Sequence, residues 1–323
     1  MKRKFGVCLA TVLLCSAFLG GCTGGSEKVV FNEYWFKDSN FATTGAETVS
    51  YDVSFQEGSG FGDGKLELDY TGTYTTTLLP KQTYNDETGV YYYETNLTLD
   101  VTFMVNGETE TKTNTVKTVT YFKTAKDGLS PLYAFNEYHS YVPNNSATAL
   151  SNAYSEVSAK VETVYGANGA SGVCTQTDKL NDKVYKNSFS ANSKDAKKYT
   201  CLDVEQLYFA LRGVNTSENA TPKFLVYSAG NETYQSVTAS FGSKVIGDTQ
   251  FSGVPGISGS VDYYPVSVSL NAELSGTNHI VWISAHSNPQ QNANRNVILR
   301  MEANFPYNMG KLIYTVTSAS FSN

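Results

Sequence analysis

From Tyr93 to Val105 the chain alternates cleanly. Tyr93, Leu97, Leu99, Val101, Phe103 and Val105 share one side, and Glu94, Asn96, Thr98, Asp100 and Thr102 share the other. A period of two describes an extended strand with one face in a core and one in water, because a helix would scatter the same apolar groups around its axis. Asn106-Gly107 follows. This pair suits a two-residue type I′ hairpin, which needs a positive φ at both central positions. Folding back around it sets Leu97 opposite Val116 and Tyr91 opposite Phe122, so the returning strand Lys112–Lys123 keeps its apolar face in register. Arms of about 12 to 15 residues span roughly 40–50 Å, more than twice an ordinary strand. Strands that long must twist and coil, so the hairpin predicts a large, strongly curved antiparallel sheet.

The texture recurs. Leu66, Leu68 and Tyr70 alternate with Glu67, Asp69 and Thr71; Val157, Ala159, Val161 and Tyr165 share a face ahead of an Asn168-Gly169 turn. Further strands are predicted at 223–227, 233–241, 266–270, 279–284, 297–303 and 312–318, with no repeat of fixed period, which argues against a propeller or solenoid. Charged residues make up only 17% and aromatics 13%, with 23 Tyr and 17 Phe, so core-forming material is ample. The 24 basic residues are outnumbered by 30 acidic ones, and no basic stripe exists for nucleic acid. The expected fold class is mainly β: an open half-barrel with one or two short helices packed on its concave side. Residues 45–323 are expected to form a single β-rich domain, the alternative being two β lobes split near 166–200.

One segment breaks the pattern. Asp203 can cap a helix from Val204, with Gln206 three residues on completing a capping box. Val204, Leu207, Tyr208 and Leu211 then follow helical spacing up to a Gly213 stop. About nine or ten residues are too few to be stable alone, so this helix is expected to lie on the concave sheet, as a crossover plugging it. A second helix is expected over Ser146–Ala153.

The N-terminus carries an address. Lys2, Arg3 and Lys4 precede the apolar run Phe5–Leu19, a signal-peptide pattern too short for a comfortable membrane span. The sequence Leu19-Gly20-Gly21-Cys22 resembles the lipobox of bacterial lipoproteins. That resemblance implies cleavage after residue 21, diacylation of Cys22, and a tether and lead-in over 22–44. Loss of residues 1–21 removes three basic residues and no acidic ones, moving the net charge from −6 to −9. Membrane attachment then comes from the lipid rather than from a polybasic patch. Cys174 and Cys201 remain in the exported chain; the sequence leaves open whether they form a disulfide or stay free.

Catalytic motifs are scarce. Three His and five Cys without metal-ligand spacing argue against a metal site, and no cofactor is expected. Gly58–Gly64 does not fit a phosphate-binding loop, and Gly256-Ile257-Ser258-Gly259 lacks nucleophile-elbow spacing. Glu67 and Asp69 share the polar side of their strand, which reads as a solvated face. Tyr91-Tyr92-Tyr93 could stack on sugars or pack in a core.

The stretch Asp203–Arg212, with Val281-Trp282-Ile283-Ser284, Leu299–Glu302 and Gly310–Tyr314, resembles a family of exported bacterial proteins known as a domain of unknown function. Here Ala285-His286 and a longer polar insert stand where that family tends to place an acidic residue. The resemblance implies a fold similar to the lipoprotein-localisation factors, a curved sheet with helix over its concave apolar face. The expected function is non-enzymatic: an envelope lipoprotein, membrane-anchored through Cys22, binding an apolar or amphiphilic small molecule or lipid in that concavity. Val204, Leu207, Tyr208, Leu211 and Trp282 are the expected lining. The alternative is an adhesion or glycan-binding lipoprotein working through exposed Tyr.

Overall fold

In the computed structural model, residues 28–31, 45–58, 66–125, 128–216, 221–257, 259–270, 278–285, 296–305 and 310–322 are described. The chain runs through β1 (Glu47–Glu57), β2 (Leu66–Tyr84), β3 (Glu87–Val105), β4 (Glu108–Ala125), β5 (Gly128–Pro143), β6 (Tyr154–Tyr165), β7 (Ser171–Asp178) and β8 (Lys183–Ser190). A short helix α1 (Ser193–Lys198) leads to β9 (Thr200–Asp203) and helix α2 (Leu207–Leu211). Then follow β10 (Lys223–Ser228), β11 (Thr233–Phe241), β12 (Val245–Asp248), β13 (Val261–Leu270), β14 (His279–Ser284), β15 (Ile298–Asn304) and β16 (Gly310–Phe321).

These strands form one sheet in the order β8-β7-β6-β5-β4-β3-β2-β1-β16-β15-β14-β13-β11-β10-β9, with β12 also on β13. The β3–β4 hairpin has the register its sequence predicts, Leu97 opposite Val116 and Tyr91 opposite Phe122. Asn106 and Gly107 take φ of 53° and 84°. Every inward residue predicted for β3 is buried, from Tyr93 to Val105. Tight coiling needs a gap at Gly72, where a Cβ would stand 2.1 Å from the Thr98 carbonyl oxygen.

The sheet is mainly antiparallel, open and strongly curved, as expected. Its two ends approach through side chains: Phe189 of β8 stacks on Tyr227 of β10 with ring centroids 3.6 Å apart and meets Tyr234 of β11 edge-on. Among the described residues the exception to antiparallel pairing is β9 beside β10. A parallel neighbour needs a crossover, and α2 supplies it.

α2 lies inside the curve. Phe209 packs on Tyr93 and Phe122 at 5.3 and 5.1 Å between centroids. The predicted helix differs in three respects. It opens as a 3-10 turn, Val204–Gln206, before the α-helical residues. Asp203 caps it by accepting from the Glu205 amide at 2.9 Å, but the side-chain N and O of Gln206 have no partner, so the capping box is half made. And Leu207, Phe209, Ala210 and Leu211 are all buried, because the sheet wraps it on several sides. The second predicted helix reduces to a 3-10 turn, Leu150–Asn152, since Asn152 turns its side-chain oxygen back to the Thr148 and Ala149 amides. α1, which the sequence reading missed, has no buried residue.

Cys22 and the signal segment lie outside the described residues, as do most of 22–44. Within that lead-in, Val29 and Phe31 are buried, and Phe31 bridges to Val214 just beyond α2.

Candidate functional site

The hollow is largely filled, and among the described residues a cavity of about 30 Å³ lies between α2 with its 3-10 turn and the sheet. One wall comes from Tyr74, Thr95, Leu97 and Val116 on β2–β4. The facing wall comes from His279 and Val281 on β14, Met301 and Ala303 on β15, and Tyr314 on β16. Val204, Glu205 and Tyr208 close it. Such a volume has room for about two water molecules.

Its lining is amphiphilic. Leu97, Val116, Val204, Val281, Met301 and Ala303 contribute apolar groups, and Glu205, Tyr208, His279, Tyr74 and Tyr314 contribute polar ones, so that every wall carries both kinds. The Tyr208 hydroxyl and His279 Nδ1 are hydrogen-bonded at 2.8 Å. Burial pulls the His279 imidazole down to about 4, so the ring is neutral at ordinary pH. Asn136 Nδ2 donates to Glu205 Oε1 at 3.3 Å. Burial, and then the nearby Asp203 charge, push the Glu205 carboxyl up to about 8. Burial raises Asp203 as well, to about 6, against hydrogen bonds from the Tyr165 hydroxyl and the Glu205 amide. Around neutrality Glu205 is therefore mostly a carboxylic acid, able to donate as well as accept.

A polar ladder leads to this cavity. Thr76, Thr95, Thr118 and Asn136 lie opposite one another across β2, β3, β4 and β5. All four are buried, and the Thr95 and Thr118 hydroxyls bond at 2.7 Å. Inward threonines among Leu97, Val116 and Tyr93 give the hollow a hydrogen-bonding belt.

The predicted lining is only partly assembled. Val204 and Tyr208 border the cavity, whereas Leu207 and Leu211 are packed core beside it. Trp282 does not face the hollow. Val281 points inward between Val266 and Met301, so strand alternation turns Trp282 outward, where the Arg300 guanidinium lies 5.0 Å from its ring. Cys174 and Cys201 are both buried free thiols rather than a disulfide: Cys174 belongs to the main core, and Cys201 to a separate small cluster with Tyr199 and Leu225. Glu67 stands exposed on the polar side of β2, as read. Sequence reasoning missed Glu205 and His279, although the parity of His279 with Val281 places it on the inward face.

Among the described residues no cluster of His, Cys, Asp and Glu could hold a metal ion, and no helix is long and apolar enough to cross a membrane. No family model matches the chain, and no curated protein does. Among solved structures, the fold is similar to that of a β-barrel-like protein of the domain of unknown function DUF1849 from Brucella abortus, at a TM-score of 0.51 and 8% identity. That likeness covers 86% of this chain and 98% of the other. What the chain shares with it is a β-barrel-like fold.

Proposed function

We propose that this chain is a non-enzymatic, lipid-anchored protein of the cell envelope that holds a small amphiphile in the hollow of its sheet. The observation that supports this reading most is the cavity between α2 and the concave face, whose lining combines apolar side chains with hydrogen-bonding ones. An amphiphile matches that mixture: its hydrocarbon part can meet Leu97, Val116 and Met301, and its polar end Glu205 and the Tyr208–His279 pair. A volume of about 30 Å³ is far smaller than an acyl chain requires, so loading needs the 3-10 turn and α2 to shift from their seat. Anchoring rests on the signal-like N-terminus ending at Cys22.

Two measurements test the proposal. Intact mass of detergent-extracted protein is expected to show loss of residues 1–21 plus acyl mass, and a Cys22→Ser protein that stays equally membrane-bound overturns the anchor. The purified mature chain is expected to bind N-phenyl-1-naphthylamine saturably and to release an amphiphile into organic solvent. Val204→Trp, which fills the cavity, is expected to weaken probe binding with the fold retained. A native protein that binds no probe and yields no extractable amphiphile overturns the ligand reading.

A further inference from the structure

The outer face of β3, β4 and β5 carries a second site. Tyr92, Tyr121 and Tyr133 stand opposite one another across the three strands, on the face away from the buried Tyr91 and Tyr93. All three rings are partly exposed. Tyr84, from the end of β2, stacks against two of them and extends the aromatic row, with centroids 4.8 Å from Tyr121 and 5.5 Å from Tyr133. Val164 of β6 continues the row and is 52% exposed.

The neighbouring rows are charged and balanced. Glu94 receives Lys117 at 3.0 Å and the Tyr92 hydroxyl. Glu162 receives Lys160 at 3.0 Å and the Tyr133 hydroxyl at 3.0 Å. Against burial, which raises it, hydrogen bonds from Tyr92, Asn96 and Lys117 hold the Glu94 carboxyl below its usual value. The Lys160 hydrogen bond does the same for Glu162. Both acids therefore stay ionised, and each lysine is matched.

We propose that this aromatic row with its flanking ion pairs is a binding surface for a neutral glycan strand. The inference stands apart from the hollow, on the opposite face of the same strands. Aromatic rings offer flat apolar area to the C–H face of a sugar. Each Glu–Lys pair offers acceptors and donors side by side, which is what hydroxyl groups need because they do both. The charge balance selects among ligands. An anionic polymer gains little from lysines already neutralised, so nucleic acid and anionic lipid are poor matches. A close-packed protein partner would have to desolvate both ion pairs, at a cost its own side chains must recover. Sugar hydroxyls leave the charges hydrogen-bonded.

The test is native affinity electrophoresis of the mature chain in gels containing hydroxyethyl cellulose, xylan or laminarin. Retardation by at least one of these neutral polysaccharides is expected, and it should persist at about 0.5 M salt, where surface charge attraction is screened. Tyr121→Ala is expected to weaken retardation by about tenfold, as loss of an aromatic contact would. Tyr121→Phe keeps the ring and is expected to keep binding, with thermal unfolding confirming that both variants fold. No retardation in any gel overturns the proposal, as does retardation that Tyr121→Ala leaves unchanged or that salt abolishes.

Discussion

Arg212 grips Glu47 with both ends of its guanidinium, Nη1 to Oε1 at 2.7 Å and Nη2 to Oε2 at 2.8 Å, across 165 residues of sequence. The pair is buried and joins the end of α2 to the first residue of β1. Arg212 Nε also donates to the Asn296 carbonyl at 2.8 Å, and Asn296 Nδ2 donates back to the Arg212 carbonyl. The helix inside the hollow is thus tied to the wall by a two-pronged ion pair and a reciprocal pair of hydrogen bonds.

Removing one partner should expose how much that tie matters. Glu47→Ala leaves the guanidinium buried without its counter-charge, and a loss of about 3–5 kcal/mol is expected. Urea unfolding of the mature chain measures it. A loss below about 1 kcal/mol would place the pair in the class of surface ion pairs.

Leu207→Ala addresses the packing beneath. Leu207 has no exposed surface and does not border the cavity. A cost of about 2–5 kcal/mol is expected for truncating a fully packed leucine. Tyr208→Phe keeps the ring but strips His279 Nδ1 of its partner, and about 1–3 kcal/mol is expected. If Leu207→Ala proves the milder of the two, the interior is looser around α2 than its burial indicates.

The pH dependence has a definite sign. Burial, and then the Asp203 charge, push the Glu205 carboxyl up from its ordinary 4.5 to about 8, so between those values the folded state holds a proton that the unfolded state has lost. Its contribution is fully present below about pH 4.5 and is lost as pH rises through about 8. Asp203 acts the same way, with its loss complete near pH 6. His279, lowered from 6.5 to about 4, acts oppositely, and its gain is complete by pH 6.5. Between about pH 6.5 and 8 the Glu205 loss therefore stands without an offset from His279. Melting temperature is expected to fall across that window in the wild type and to stay level in Glu205→Gln.

The two core thiols should be silent until the chain opens. Burial pushes Cys201 up to about 11 and raises Cys174 too, so both are protonated at neutral pH and shielded. Thiol titration without reductant is expected to find neither in the native mature protein and both in guanidinium. Absence of both under denaturing conditions would mean that they are paired.

Much of the sheet was legible because its signals are local. Asn106-Gly107 sets a turn with two positive φ angles, and alternation on either side leaves one register that buries Leu97 with Val116. Asp203 announced the start of the helix for the same reason, a cap two residues from the amide it satisfies. The site was less legible. Glu205 and His279 reach one cavity from elements more than seventy residues apart, and no local period encodes that meeting. Trp282 was misplaced although the alternation of its own strand held the answer, because a large aromatic suggests interior. The half-made capping box at Gln206 shows the reverse: a sequence pattern was present, but the 3-10 opening aimed the side chain elsewhere.

Val29, buried beside the bridge from Phe31 to Val214, stands seven residues after Cys22. Whatever path those residues take, they reach at most about 25 Å. With an acyl anchor on Cys22, that is a leash rather than a stalk. The folded body would ride directly on the bilayer, with the Val214 end, where α2 finishes, turned toward the lipid. A guest bound for the hollow would then pass between membrane and protein over little open water.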